Sequence, residues 1–287
     1  MENNKEILER IASALERISP PTDRYFNLDV AEGFVFDPKN SSLKPVRRIN
    51  RIPIKLLKGL ENQKEILFKN TENFSKGFPS NNALLWGAKG TGKSSLIKSV
   101  HSEILEKNPT IKLKLIEIHR EDIIHLTNLL EILSNNETYR FILLCDDLSF
   151  DQGENTYKSL KSVLDGGIEG KPSNTIFYAT SNRRHLMPRD MIDNEKATAI
   201  NPSETIEEKV SLSDRFGLWI GFHNISQETY LDIIEGYTDN LEINIKKSDL
   251  HSRALEWSIT RGARSGRVAW QFILSLAGEF NQKIELK

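Results

Sequence analysis

Apolar and polar residues follow two alternating patterns along most of the chain. Short apolar runs, typical of buried strands, stand between stretches whose apolar residues recur every three or four positions, as in helices. Five runs are predicted strands: NALLW, IKLKLIEI, RFILLC, NTIFYATSN and GLWIGF. Because buried strands that alternate with helices form sheets covered on both faces, we predict an α/β fold with a five-stranded, mainly parallel sheet in a three-layer core.

The two ends of the chain differ from this middle part. After Ser226 the pattern is helical throughout, in QETYLDIIEGYTDN, KSDLHSRALEWSI and SGRVAWQFILSLAGEF, which predicts a small helical domain. Near the start, apolar residues at helical spacing predict a helix from Ile7 to Ile18, which ends at the prolines of SPP. Residues 22–50 have no clear period, but their aromatic residues predict a segment that adheres to the core: Tyr25, Phe26, Phe34 and Phe36.

These patterns divide the chain into three predicted parts. Residues 1–50 form an N-terminal helix and an extended segment, residues 51–225 form the α/β core, and residues 226–287 form a helical lid domain. No internal repeat or low-complexity tract interrupts this division.

Composition narrows the class of protein. Hydrophobic residues make up 38% and charged residues 28% of the 287 residues, as in an ordinary soluble globular protein. The formal net charge is −1, so the overall balance does not demand nucleic acid or an anionic membrane as a partner. The single cysteine, Cys145, lies in an apolar run and is predicted to be a buried, inert thiol. A polar N-terminus and apolar runs far too short to span a membrane predict a cytoplasmic protein.

One segment carries a specific chemical pattern. GAKGTGKS, from Gly87 to Ser94, fits G-x-x-x-x-G-K-[S/T] and stands between a predicted strand and a predicted helix. The glycines let successive N–H groups point at phosphate oxygens, and the helix N-terminus attracts the same anion. Lys93 is placed to neutralise the β- and γ-phosphates, and the Ser94 hydroxyl to contact Mg²⁺. The predicted nucleotide-binding residues are Gly87, Ala88, Lys89, Gly90, Thr91, Gly92, Lys93, Ser94 and Ser95.

An acidic motif follows the third predicted strand. In FILLCDD, Asp146 and Asp147 stand where the strand ends. Asp146 is predicted to hold Mg²⁺ together with Ser94, and Asp147 to orient or deprotonate an attacking water molecule. The predicted cofactors are therefore ATP and Mg²⁺.

The order of these motifs resembles that of the AAA+ ATPases. Ile54–Lys64 is similar to the segment that lies against adenine in that superfamily. YATSN ends with Asn182, which resembles the sensor-1 asparagine that helps position the attacking water. LSDRFG resembles the element that carries the arginine finger, with Arg215 in the finger position. In ARSGRVAWQF, Arg267 best matches the sensor-2 arginine, and Arg264 is the competing choice.

The resemblance covers about residues 50–280 and narrows further on four segments, WGAKGTGKSSL, CDDLSF, HLMPRDM and LSDRFGLWIGF. These segments resemble a bacterial family of predicted AAA+-type ATPases without an assigned physiological role. The chain departs from most AAA+ proteins at the second motif, where it has Asp146-Asp147 instead of Asp-Glu. The shorter carboxylate of Asp147 leaves the rate of hydrolysis open, but not nucleotide binding.

The resemblance implies a Mg²⁺-dependent ATPase that forms homo-oligomers with ATP at subunit interfaces and remodels or loads a macromolecular partner. The catalytic residues that it implies are Asp147, Asn182, Arg215 and Arg267. Two alternatives stay open. The first is an ATP-gated adaptor or loader with little or no hydrolysis, which the aspartate in place of glutamate favours. The second is a P-loop kinase. The sensor-like asparagine, the DRFG element and the helical tail argue against it.

Some features allow more than one interpretation. Arg215 would act on a neighbouring subunit's nucleotide if it is a finger, or form an ion pair with Asp214 or Glu208 if it is not.

Three basic clusters suit nucleic-acid phosphates, Arg47–Arg51, Arg183–His185 and Arg261–Arg267. The latter two are expected to face ATP or another subunit, and no known DNA-reading module follows the core, so nucleic acid is not favoured. The long connection from Leu186 to Lys209 fits a partner-contacting insertion and a plain surface excursion equally well.

Overall fold

The computed structural model describes most of the chain, namely residues 7, 10, 11, 27–150, 156–166, 170–184, 186, 212–284 and 286. Most of the predicted N-terminal helix and nearly all of the connection from Leu186 to Lys209 lie outside the described residues. The chain divides into two units, residues 1–30 and residues 31–287. The described part of the first unit contains a short 3-10 helix, Leu28–Val30.

The second unit is built on a seven-stranded sheet. Its strands are β1 (Gly33–Asp37), β2 (Ser42–Val46), β3 (Ala83–Gly87), β4 (Leu113–Glu117), β5 (Arg140–Cys145), β6 (Thr175–Ser181) and β7 (Leu218–Phe222). Their order in the sheet is β2-β1-β4-β5-β6-β3-β7. All neighbouring pairs are parallel except β1 and β2, which form an antiparallel pair at one edge. The α/β fold with a mainly parallel sheet is thus confirmed.

The number of strands differs from the prediction, because the sequence indicated five and the structure has seven. The two additional strands are β1 and β2, in the segment where no period was evident. Phe34 and Phe36 of β1 are buried, as expected for a segment that adheres to the core. In β2 only Leu43 is buried, and Pro45 lies in this edge strand, a position in a sheet where proline is tolerated. The alternation of apolar and polar residues was hidden in this segment because β1 is buried on both faces and β2 is an exposed edge strand.

Helices cover the sheet, and the elements that follow the last strand are all helices. The first four are α1 (Glu61–Ser75), α2 (Lys93–Lys107), α3 (Leu126–Ser134) and α4 (Thr156–Asp165). Two 3-10 helices, Ile54–Leu56 and Arg120–His125, precede α1 and α3. The last three are α5 (Gln227–Asn240), α6 (Lys247–Thr260) and α7 (Gly266–Glu279). Among the described helices, none combines the length and the apolar character that a membrane crossing requires.

The apolar residues of the second unit form two clusters. In one cluster Leu85 and Ile142 of the sheet pack with Leu96 and Ile97 of α2. Their neighbours along the strands, such as Leu84, point to the opposite face and are also fully buried, so both faces of the sheet are covered. The other cluster joins α5, α6 and α7, with Tyr230, Ala254, Phe272 and Ile273 at its centre. The helical part therefore has an apolar core of its own.

The pKa of a buried histidine predicts how acid affects stability. His101 of α2 is fully buried, and its Nε2 atom lies 3.2 Å from the Leu113 carbonyl oxygen, to which it donates. Burial lowers the pKa of His101 to about 4 from 6.5. The unfolded chain therefore binds a proton as pH falls below about 6.5 while the folded protein stays neutral to about pH 4, so stability is lost across this window. From the pKa difference the loss is about 3 kcal/mol.

His101→Gln keeps a donor for the Leu113 carbonyl and removes the titration. We expect the free energy of unfolding of the wild type to fall by about 2 kcal/mol more than that of the variant between pH 7 and pH 4.5. Urea denaturation at both pH values measures this difference. Equal losses in the two proteins would show that His101 does not remain neutral in the folded state.

Candidate nucleotide-binding site

The segment from Gly87 to Ser94, here called the P-loop, turns sharply between β3 and α2. Gly87 has φ = +136°, and a Cβ atom there would lie 1.9 Å from the carbonyl oxygen of Phe222 in the neighbouring strand β7. Gly90 and Gly92 have φ = +74° and +94°, in the left-handed region that glycine adopts readily. The glycines therefore fix the turn that brings the N-terminus of α2 to the end of the sheet.

Lys93 is the first residue of α2, and its side chain is held under the P-loop. Its exposed fraction is 7%. The Nζ atom donates to the carbonyl oxygens of Gly87 and Ala88 at 2.9 and 2.7 Å and to Oδ1 of Asn182 at 3.2 Å. Burial lowers the pKa of the Lys93 ammonium, while the negative charges of Asp146 and Asp147 raise it. A buried cation that has only neutral hydrogen-bond acceptors is well placed to receive an anion.

Asp146 lies directly after β5 and is held from two sides. Its Oδ1 atom accepts a hydrogen bond from the Ser94 hydroxyl and another, at 2.5 Å, from the Thr180 hydroxyl of β6. The pairing of β6 with both of its neighbours, β5 and β3, is parallel, so the carboxyl ends of β3, β5 and β6 meet at one edge of the sheet. This edge brings the predicted metal-binding residues, Ser94 and Asp146, into direct contact.

Asp147 lies beside Asn182 at the same edge. Its Oδ1 atom accepts a hydrogen bond from Nδ2 of Asn182 at 2.5 Å, while Oδ1 of that asparagine accepts from Lys93. The backbone of Asp147 has φ = +54°, a conformation that aspartate tolerates better than most residues. The predicted water-positioning pair, Asp147 and Asn182, is thus connected to the P-loop lysine through a single amide group.

A cleft of about 480 Å³ opens next to these groups. Its polar end consists of the P-loop, Asp146, Asp147 and Asn182. Its apolar wall comes from the segment before α1 and from the helical part: Ile52, Leu56, Leu57, Leu60, Ile225, Ile233, Tyr237 and Trp270. The rings of Tyr237 and Trp270 lie 5.1 Å apart. The segment that was matched to adenine contact, Ile54–Lys64, contributes to this wall.

The start of α7 lies against the P-loop. The backbone N–H of Arg267 donates to the Gly90 carbonyl oxygen at 3.4 Å, and a Cβ atom on Gly90 would lie 3.0 Å from Oγ of Ser265. Arg267 lines the cleft, and its charge contributes to lowering the pKa of Lys93. Arg264 does not line the cleft. Of the two candidate sensor-2 arginines, only Arg267 therefore borders the cleft.

Arg215 lies away from the cleft of its own chain. Its guanidinium forms an ion pair with Asp165, the last residue of α4, and it is not among the residues that line the cleft. Of the two ion-pair partners considered from the sequence, Glu208 lies outside the described residues. The Arg215 guanidinium is therefore not part of the cleft wall of its own chain.

Several residues of the site were not predicted from the sequence. Thr180 contacts Asp146 but stands within an apolar strand, where it was taken as part of the strand. The sequence did contain one indication that Thr180 belongs to the site. Side chains alternate along a strand, so Thr180 and Asn182, which are two residues apart, lie on one face of the chain. Tyr237 and Trp270 were assigned to helices, and nothing local in the sequence indicates that they face a cleft. Cys145 is buried as predicted, and burial raises the pKa of its thiol to about 12.

Solved structures with a similar fold include two with TM-scores of at least 0.5. The Aeropyrum pernix ORC2 protein is 12% identical with a TM-score of 0.53, and the match covers 79% of this chain and 70% of that chain. Domain III of the Thermotoga maritima replication initiation protein DnaA is 15% identical with a TM-score of 0.50, covering 79% and 88%. At these identities the likeness concerns the fold, which is that of the AAA+ ATPases.

A comparison with curated proteins finds no match. A family model does match, over residues 30–280, and it is described as a protein of unknown function, DUF815. The matched range includes all seven strands, the P-loop, the acidic pair and the residues at the start of α7. The chain is a member of the DUF815 family, and it has the AAA+ fold.

Proposed function

We propose that this protein is a Mg²⁺-dependent ATPase that works as a homo-oligomer. The observation that carries the proposal is the convergence of Lys93, Ser94, Asp146, Asp147 and Asn182 on one edge of the sheet, at the mouth of a cleft with an apolar wall. These groups match the needs of phosphoryl transfer to water: a cation for the phosphates, ligands for a metal ion and a carboxylate for the nucleophile.

The residues present fit a nucleoside triphosphate. The cleft is polar at the P-loop and apolar at its far end, as a ligand with a charged tail and a flat aromatic base requires. Free N–H groups at the start of α2 and the Lys93 ammonium would bind the phosphates. Tyr237 and Trp270 would contact the base or the ribose. Binding would draw Lys93 from the Gly87 and Ala88 carbonyls towards phosphate oxygens.

The residues also fit Mg²⁺. Among the described residues, no group of three or more His, Cys, Asp or Glu side chains is arranged to hold a metal ion. Ser94 and Asp146, which are in direct contact, would hold Mg²⁺ together with phosphate oxygens and water, as is usual for this ion. When bound, Mg²⁺ neutralises charge on the phosphates and favours the in-line geometry of transfer.

The roles proposed for the other site residues follow from their positions. Asp147 would accept a proton from the attacking water or orient it, and Asn182 would fix the direction of that carboxylate through the hydrogen bond at 2.5 Å. Arg267 would contact the phosphates from the helical part, and Arg215 would reach the nucleotide of a neighbouring subunit. Movement of the start of α7 against Gly90 would transmit the nucleotide state to a macromolecular partner. Residues 226–287 would then act as a lid domain on a core over residues 51–225.

A test of this proposal is the exchange of Asp147 for asparagine. We expect Asp147→Asn to bind MgATP as tightly as the wild type and to hydrolyse it about 10²- to 10⁴-fold more slowly, since the variant cannot accept a proton. Binding and phosphate release measured on the same samples separate the two effects. Unchanged hydrolysis in the variant would exclude Asp147 as the water-activating residue.

One observation favours a second candidate function, an ATP-gated adaptor with little or no hydrolysis. The carboxylate of Asp147 is shorter than that of glutamate and is already bound by Asn182, which restrains its reach towards a water molecule. Sizing of the wild-type protein in ATP and in ADP, with phosphate release measured in parallel, distinguishes the two functions. ATP-dependent assembly without measurable turnover would favour the adaptor.

A further inference from the structure

Thr180 makes three hydrogen bonds to the turn that carries the acidic pair. Its hydroxyl donates to Oδ1 of Asp146 at 2.5 Å and accepts from the backbone N–H of Asp147 at 3.0 Å. Its carbonyl oxygen accepts from the backbone N–H of Leu148 at 2.7 Å. One residue of β6 thus contacts three consecutive residues after β5. Asp147, at the centre of this turn, has φ = +54°.

Thr180 is nearly closed off from solvent and stands beside a predicted metal ligand. Thr180 is 2% exposed, and its side chain borders the cleft beside Asp146. Without the hydroxyl, the N–H of Asp147 would lose its acceptor, and among the described residues Ser94 alone would still donate to the Asp146 carboxylate. The Ser94 hydroxyl is itself a predicted metal ligand. Thr180 is therefore the neighbour that can orient Asp146 while Ser94 turns to a metal ion.

We propose that Thr180 is a positioning residue that sets the Mg²⁺ affinity of the nucleotide site, an inference that rests on the proposed function. The hydroxyl would hold the Asp146 carboxylate in the direction that a metal ion needs and would keep the backbone of Asp147 in its left-handed conformation. Groups that orient a metal ligand without touching the metal typically change metal affinity by about 10- to 100-fold when they are removed.

The variant that tests this role is Thr180→Val, which keeps the shape of the side chain and removes the hydroxyl. The affinity for ATP is measured over a range of free Mg²⁺ concentrations and again in excess EDTA. We expect the Mg²⁺ concentration for half-maximal tight binding to rise about 10- to 100-fold. The affinity for ATP in EDTA should not change, because the P-loop and Lys93 are intact.

Two control variants make the result specific. Thr180→Ser keeps the hydroxyl and should keep the wild-type Mg²⁺ requirement, even if loss of the methyl group lowers the melting temperature. Thr175→Val makes the same exchange at the opposite end of β6, where the hydroxyl contacts only Asn174 among the bonds found, at 3.4 Å. It should leave the Mg²⁺ requirement unchanged. If Thr180→Val fails to fold, Thr180→Ala takes its place, because it also removes the hydroxyl and the same rise in the Mg²⁺ requirement is expected.

The outcomes separate this inference from the proposed function. If the wild type binds ATP in a Mg²⁺-dependent manner and Thr180→Val has the same Mg²⁺ requirement, the role of Thr180 is overturned. The proposed function is not affected by that result. A serine variant with a strongly raised Mg²⁺ requirement would also overturn it, because the hydroxyl would then not be the decisive group. A well-folded wild type that binds no ATP, with or without Mg²⁺, would overturn the proposed function and this inference with it.

Discussion

Lys93→Ala is expected to weaken the binding of MgATP by at least about 100-fold, because two or three charge-assisted hydrogen bonds to phosphate are lost together. In the structure the Lys93 ammonium is buried, and burial lowers its pKa. The ammonium therefore gains more from an anion than an exposed lysine would. The expected loss appears in the dissociation constant, measured by equilibrium titration, and hydrolysis should disappear at ATP concentrations that saturate the wild type.

Two further variants show whether the effect belongs to the charge of Lys93. Lys93→Met keeps the apolar part of the side chain, so it should lose binding in the same way with little change in the melting temperature of the nucleotide-free protein. Lys89→Ala removes a lysine that also lines the cleft but is exposed, and it should weaken binding only slightly. Equal losses for Lys89→Ala and Lys93→Ala would indicate a general electrostatic effect and contradict the specific role of Lys93.

Arg215→Ala is expected to retain MgATP binding and to lose hydrolysis by about 10³- to 10⁵-fold, the range for an arginine that a partner supplies to the transferring phosphoryl group. Arg215 is absent from the cleft of its own chain and pairs with Asp165. Asp165→Asn is the matched control, since it removes the ion pair and leaves the arginine. Steady-state phosphate release should fall in Arg215→Ala and remain near the wild-type rate in Asp165→Asn.

A mixing experiment tests whether Arg215 acts between subunits. Lys93→Ala lacks nucleotide at its own site but has an intact Arg215, and Arg215→Ala has the opposite defect. Mixed oligomers contain some interfaces with both residues intact, so part of the activity should return when two inactive variants are combined. Normal hydrolysis by Arg215→Ala alone, or equal loss in Asp165→Asn, would show that the arginine has a structural role at the edge of the core.

Much of the fold follows from local patterns in the sequence. Four of the core strands, β3 to β6, stand out as continuous apolar runs because they are largely buried on both faces, and the helices between them have a helical period because each buries one face. The β1–β2 pair was missed because the exposed strand β2 contains Pro45 and has no apolar alternation. The position of β1 beside β4 depends on contacts far apart in sequence, and no local period reports them.

The site was predictable where chemistry depends on consecutive residues. The P-loop and the Asp146-Asp147 pair are local motifs, and the structure brings Ser94 into contact with Asp146. Thr180 and Trp270 were not predictable in the same way, since their positions depend on strand pairing and on how the helical part packs. The sequence also left Arg264 and Arg267 as alternatives, and the packing of α7 against Gly90 puts Arg267, but not Arg264, at the cleft.

The most direct test of the account is equilibrium dialysis of the wild-type protein against radiolabelled ATP with Mg²⁺, alongside Lys93→Met. Circular dichroism and thermal melting would establish beforehand that both proteins are folded. We predict saturable binding by the wild type that approaches one nucleotide per chain, and none by the variant under the same conditions. A folded wild type that retains no more ATP than the variant would contradict the assignment of the P-loop edge as a nucleotide site.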